Sequence, residues 1–175
     1  MIRSFKNFSP DIHKTVYVDK QSTVIGNVKI GKDSAMWPQA VARGDINPIV
    51  IGERTNIQDG TIIHVTHKSK YSPSFSVTIG NDVTIGHSSI IHACKIADRV
   101  LIGMGSIVLD GAEIASDTMI GAGTLVGPGK HLEGGYLYLG SPAKKVRELT
   151  EKEISFLIYS AKCYVDLKNE YLTQI

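Results

Sequence analysis

The chain has 175 residues, 42% of them hydrophobic and 21% charged, with a formal net charge of +2. That is enough for one domain with its own core, and so balanced a charge gives no reason to expect a nucleic-acid or membrane partner. No apolar run is long enough for a signal peptide or a membrane span, and the two cysteines, Cys94 and Cys163, suggest free thiols in a reducing, cytoplasmic compartment.

From about residue 24 a branched aliphatic followed by glycine recurs, as in Ile25-Gly26, Ile51-Gly52, Ile79-Gly80, Ile85-Gly86, Ile102-Gly103 and Ile120-Gly121. The aliphatic positions advance by six through Ile51, Ile57 and Ile63, then Ile79, Ile85 and Ile91. A third run of the same step goes from Ile96 through Ile102, Val108, Ile114, Ile120 and Val126 to Leu132. A period of six fits neither the helix period nor simple strand alternation. It fits a short strand plus a corner, with three such units making one triangular coil. The aliphatic side chain then points into the prism and stacks on its counterpart one coil away, and the glycine leaves room where the backbone turns. The pattern predicts an all-β solenoid, a left-handed parallel β-helix of hexapeptide repeats.

Two segments break the step and read as loops on the scaffold, residues 43–50 and residues 65–78. After Pro142 the pattern changes. Thr150 with Glu153 forms a capping box, and Ile154, Ile158, Ala161, Val165 and Leu172 make an apolar stripe at helical spacing. A helix is therefore expected over about 151–172, packed along the prism. The β-helix is assigned to residues 1–145 and the helical segment to 146–175, within one structural domain.

The repeat sorts the six histidines. His64 follows Ile63 and His92 follows Ile91, each in the third unit of its coil. The two share a register on one face, where stacked strands lie about 4.8 Å apart. Two imidazoles so placed can turn toward one metal ion. His87 follows Gly86 on a different face, and a threefold trimer could bring it to the pair of a neighbouring subunit. Asn56, Gln58 and Asp59 lie on the coil that carries His64, and Arg43 and Asp45 sit in the first break. Arg43 and Asp45 could equally form a turn and an ion pair, within the chain or across an interface. His13 and His131 have no such company.

The set Arg43-Gly44-Asp45, Asn56-x-Gln58-Asp59, His64, His87 and His92 resembles the γ-class carbonic anhydrases, and among them the bacterial members that lack a long acidic loop. The resemblance spans nearly the whole chain, including the Gly140-Ser141-Pro142-Ala143-Lys144 exit. It implies a homotrimer with metal sites between subunits, His64 and His92 from one chain and His87 from the next. The implied metal is zinc or ferrous iron, and cobalt is chemically possible. The implied reaction is hydration of carbon dioxide to bicarbonate by hydroxide from metal-acidified water. By the same resemblance Gln58 and Asn56 orient water and substrate, Asp59 and Asp45 hold supporting contacts, and Arg43 lies near the interface.

The chain departs from the family prototype at Ile46, where the prototype has glutamate, and at His67, which stands where the prototype has its proton-shuttle glutamate. His67 could take over that role, since histidine titrates near neutral pH, or it could be a plain loop residue. Some relatives place a tyrosine from the C-terminal helix at the site, and Tyr159 or Tyr164 is the candidate here, with Tyr159 taken first. Three other readings stay open: a hexapeptide-class acyltransferase using coenzyme A, a metal-dependent thioester hydrolase, and a non-catalytic metal-stabilised trimer.

Overall fold

The computed structural model of the chain describes residues 1–174. The expected parallel β-helix is its architecture. Asn56–Ile57, Thr84–Ile85, Val100–Ile102 and Thr118–Ile120 stack in parallel on one face and bring Ile57, Ile85, Ile102 and Ile120 into one column. Ile62–His64, Ile90–His92, Ile107–Val108 and Leu125–Val126 form the second face, with Ile63, Ile91, Val108 and Val126 in register. Val77–Ile79, Lys95–Ile96, Glu113–Ile114 and His131–Leu132 form the third, aligning Ile79, Ile96, Ile114 and Leu132. All twelve column residues are buried in one cluster.

Strands of two or three residues cannot persist alone, so the columns hold the coils together. Fully burying one such aliphatic stabilises by roughly 1.5–3 kcal/mol. The paired glycines have a steric cause. A Cβ on Gly103 would sit 2.4 Å from the Ala122 amide nitrogen of the next coil.

The segment 43–50 is not a loop. It belongs to the strand Val41–Ile51, which passes a corner and pairs on two faces, with Ile62–His64 and with Val77–Ile79. The broken step is a bulge in this strand. Between the pairs Gly26–Gly44 and Val28–Ile49, the single residue Asn27 faces Asp45, Ile46, Asn47 and Pro48. The extra residues leave the ladder and arch outward. The second interruption is a loop that rejoins the sheet at Val77. Asn47 of the bulge fastens it by donating to the Thr66 carbonyl and, at 2.6 Å, to the Ser74 hydroxyl.

At one end of the prism, Ile2–Arg3 and Asp11–Ile12 pair with the strand Thr23–Ile30. At the other, Lys144–Glu148 folds back antiparallel on Tyr136–Leu139 and presents an exposed, mostly charged edge, which discourages further strand pairing. No described helix is long and apolar enough to cross a membrane.

The helix spans Glu151–Leu172, and Thr150 and Glu153 form the expected capping box. The face it buries differs from the aliphatic stripe. Leu157, Ser160, Ala161 and Lys168 are buried, whereas Ile158 is 50% exposed. Tyr164 and Tyr171 pack on Trp37, with ring centroids 5.8 and 5.2 Å away. The Lys168 ammonium donates to the Thr15 carbonyl at 2.8 Å and to Asn169 Oδ1 at 2.6 Å. Side chains with a polar tip enter this contact because the tip finds partners, and a count of aliphatics overlooks them.

Candidate metal centre

His64 and His92 end neighbouring strands and stand directly in register. Their ring centroids are 5.4 Å apart. Each leaves the prism because the buried isoleucine before it fixes the alternation.

His92 Nδ1 pairs with Asp110 Oδ2 at 2.9 Å, and Asp110 Oδ1 accepts from the Thr66 hydroxyl at 2.6 Å. His64 Nε2 pairs with Asp45 Oδ1 at 3.1 Å, and the other oxygen of Asp45 accepts from Arg43 at 2.5 Å. The Arg43–Asp45 pair thus closes within one chain, on the bulge. Burial is the main cause that holds the His64 pKa below its ordinary value, and the neighbouring Arg43 acts the same way against Asp45. Burial raises the Asp45 carboxyl, but bonds from Arg43 and His64 outweigh it and leave the pKa lowered. Burial likewise raises Asp110, and bonds from Thr66 and His92 bring it below the usual range.

His87 lies elsewhere on the chain, past the corner that follows Thr84–Ile85. Its Nδ1 pairs with Asp59 Oδ2 at 2.8 Å. Its backbone N–H donates to Gln58 Oε1 at 3.2 Å, and Gln58 Nε2 donates to Asn56 Oδ1 at 3.2 Å. Asn56 and Gln58 are buried. Within one chain, therefore, Asn56, Gln58 and Asp59 gather around His87, while Arg43 and Asp45 gather around His64. Among the described residues no three His, Cys, Asp or Glu side chains form a ready metal-holding group.

The helix tyrosine beside this cluster is Tyr164, not Tyr159. Tyr159 is 62% exposed and approaches Cys163. Burial raises the Tyr164 pKa, Asp59 adds to it, and a hydrogen-bonding contact with Gln58 opposes. Five residues along a helix turn the side chain by about 140°, so only one of the two can face the prism. A cleft of about 350 Å³ opens here, lined by Gln58, His87, Leu101, Met104, Phe156 and Tyr164 among others. Larger clefts, of about 430 and 450 Å³, lie over the third face and near the end of the helix, away from these histidines. His67 is exposed on the loop, with no side-chain partner among the described residues.

Asp110 is the residue that the sequence reading missed. It stands 18 residues beyond His92 and two beyond the column residue Val108, which pairs with Ile91, and that placement is the one signal that could have found it. With Asp110 included, every one of the three histidines holds one ring nitrogen against a carboxylate and keeps the other for a further partner. This donor chemistry fits a divalent metal, whose histidine ligands habitually donate their second N–H to a carboxylate.

An outward aliphatic ladder adjoins the pair. Val41, Ile62, Ile90, Ile107 and Leu125 are in register on the same face, and Ile62 and Ile90 are 46% and 40% exposed.

Known proteins similar to the chain agree on its family and fold. The bacterial transferase hexapeptide signature of six repeats matches residues 93–128. The chain is 52% identical to the Escherichia coli protein YrdA over 99% of its own length and 95% of that protein. It is 43% identical to the carbonic anhydrase of Geobacillus kaustophilus, covering 98% of this chain and 90% of that one. A solved Bacillus cereus structure, described as an acetyltransferase, superposes with a TM-score of 0.94 at 38% identity, over 99% of this chain and 98% of that one. With its repeat, its fold and these relatives, the chain belongs to the γ-class carbonic anhydrase-like group of the hexapeptide-repeat family.

Proposed function

We propose that the chain is an enzyme of reversible carbon dioxide hydration, working as a homotrimer with one divalent metal at each subunit interface. His64 and His92 of one subunit and the partner subunit's His87 would hold the metal. The observation that carries this reading is the carboxylate behind each histidine: Asp45, Asp110 and Asp59. Each one fixes a tautomer and a ring orientation, which a surface histidine does not need. The aliphatic ladder beside His64 and His92 supports subunit packing, since exposed apolar rows of this kind mark interaction surfaces.

Zinc, ferrous iron or cobalt at this position would bring the pKa of coordinated water down to about 7. The remaining work falls to the chain's own residues. Gln58, held by Asn56 and by the His87 backbone, presents a fixed amide next to His87 and orients the small substrate. Tyr164 shields the Gln58 side of the cleft from bulk water. Asp45 links His64 to Arg43, and Asp59 holds the His87 ring. His67, exposed on the loop three residues after His64, is the candidate for carrying protons between the site and solvent. The unpaired Cys94 and Cys163 fit a reducing compartment such as the cytoplasm.

Metal analysis and stopped-flow carbon dioxide hydration on protein purified without oxygen test this reading. About one metal per chain is expected, with activity that a chelator removes and metal restores. His92→Ala should lose both while keeping the prism folded. Metal without hydration would contradict the reaction and favour thioester hydrolysis or a scaffold. The Bacillus cereus relative described as an acetyltransferase supports a second reading, coenzyme A-dependent acyl transfer. That reading gains if the protein binds no metal and acetylates an acceptor.

A further inference from the structure

We infer that Ser160 and Thr84 are positioning residues that hold the Asn56 amide, and through it the Gln58 amide, in place in the site. The inference rests on the proposed hydration reading for its kinetic consequence, and on the geometry of one chain for its substance.

The relevant groups form an unbroken buried relay. The Ser160 hydroxyl, on the inner face of the helix, lies 3.0 Å from the Thr84 hydroxyl. Thr84 Oγ1 accepts from Asn56 Nδ2 at 3.1 Å. Asn56 Oδ1 accepts from Gln58 Nε2, and Gln58 Oε1 accepts from the His87 backbone N–H. All four side chains are buried.

The direction of the relay follows from what each group can do. The His87 amide can only donate, so Gln58 must offer its oxygen there and its nitrogen to Asn56. The Val83 carbonyl, 3.4 Å from Asn56 Nδ2, can only accept, so the Asn56 nitrogen faces it and Thr84. Thr84 accepts from Asn56 and shares a hydrogen bond with the Ser160 hydroxyl in which either oxygen can donate. A reversed Gln58 would set nitrogen against the His87 N–H and oxygen against Asn56 Oδ1, two repulsive pairs in a dry environment. The helix thus reaches the relay through the Ser160 hydroxyl. Gln58 lines the cleft beside His87 and Tyr164 and presents its amide there in one fixed orientation.

Thr84→Val removes the hydroxyl at nearly constant shape, and Thr84→Ser keeps it. Selective nitrogen labelling of the four glutamines gives a small set of side-chain amide signals, and the pair lost in Gln58→Met belongs to Gln58. In Thr84→Val that pair should shift and exchange faster with water, and in Thr84→Ser it should return to its native position. Ser160→Ala should move it in the same sense. Hydration kcat should fall about fivefold in Thr84→Val, as for one net hydrogen bond, with little change in KM, and should recover in Thr84→Ser. An unmoved Gln58 signal in Thr84→Val would overturn the inference, and so would an equal loss in Thr84→Ser, which would make the effect steric. Shifted signals in a protein that hydrates no carbon dioxide would uphold the relay and reject the hydration reading.

Discussion

At the scale of single residues, the centre depends on pairs rather than on isolated histidines. His92 alone is one imidazole on a strand end, and with Asp110 behind it the ring is held in one orientation. Asp110→Ala should weaken metal binding by about 10- to 100-fold, measured by competition against a chromogenic chelator, with the prism still folded. His64 and His92 were legible in the sequence because the sixfold step places them one coil apart. Asp110 was not, since the coil from Ile91 to Val108 is 17 residues long and strict register carries His92 to Leu109. Tyr159 takes precedence over Tyr164 in the sequence, wrongly, because both lie on a helix that is apolar on more than one side, with Phe156 and Leu167 also exposed. Arg43 and Asp45 were legible as a motif, but their closure within one chain needed the bulge to be seen.

At the scale of elements, the helix shows which signals are local and which are not. Its start was legible because a capping box depends on four consecutive residues. Its buried face was not, because Lys168, Ser160 and Tyr164 bury only where Thr15, Thr84 and Gln58 await them. The same capping box makes the helix start sensitive to acid. The Arg147 guanidinium, together with bonds from Thr150, holds the Glu153 carboxyl at about 2, below its ordinary value of 4.5. Its folded pKa is the lower one, so its contribution is present above 4.5 and is lost as pH falls toward about 2. Thermal melts of wild type and Glu153→Gln should differ near neutral pH and converge at about pH 2. A difference that persists unchanged in acid would show that the carboxylate charge is not what holds the helix start. The segment 43–50 was misjudged for a related reason, because a bulge and a loop break a six-residue step identically.

At the scale of the whole molecule, three aliphatic columns carry the fold, and their legibility was high because one period repeats along most of the chain. A defect in a column affects the coils on both sides. Ile102→Ala, deep in the first column and fully buried, should destabilise by roughly 2–5 kcal/mol, seen as a lower denaturant midpoint. A change below about 0.5 kcal/mol would show that the coil refills the space. The prism also separates the functional groups, with His64 and His92 on one face and His87 beyond a corner of another. Under the proposed function this separation makes the metal centre depend on assembly.

The most direct measurement uses two inactive variants together. His87→Ala keeps the pair His64 and His92, and His92→Ala keeps His87. Dissociated, mixed in equal amounts and reassembled with metal, they should regain about a quarter of the wild-type carbon dioxide hydration rate, the share of head-to-tail interfaces that join an intact pair to an intact His87. No recovery in mixed trimers, from variants whose wild-type parent survives the same treatment, would contradict a site shared between subunits.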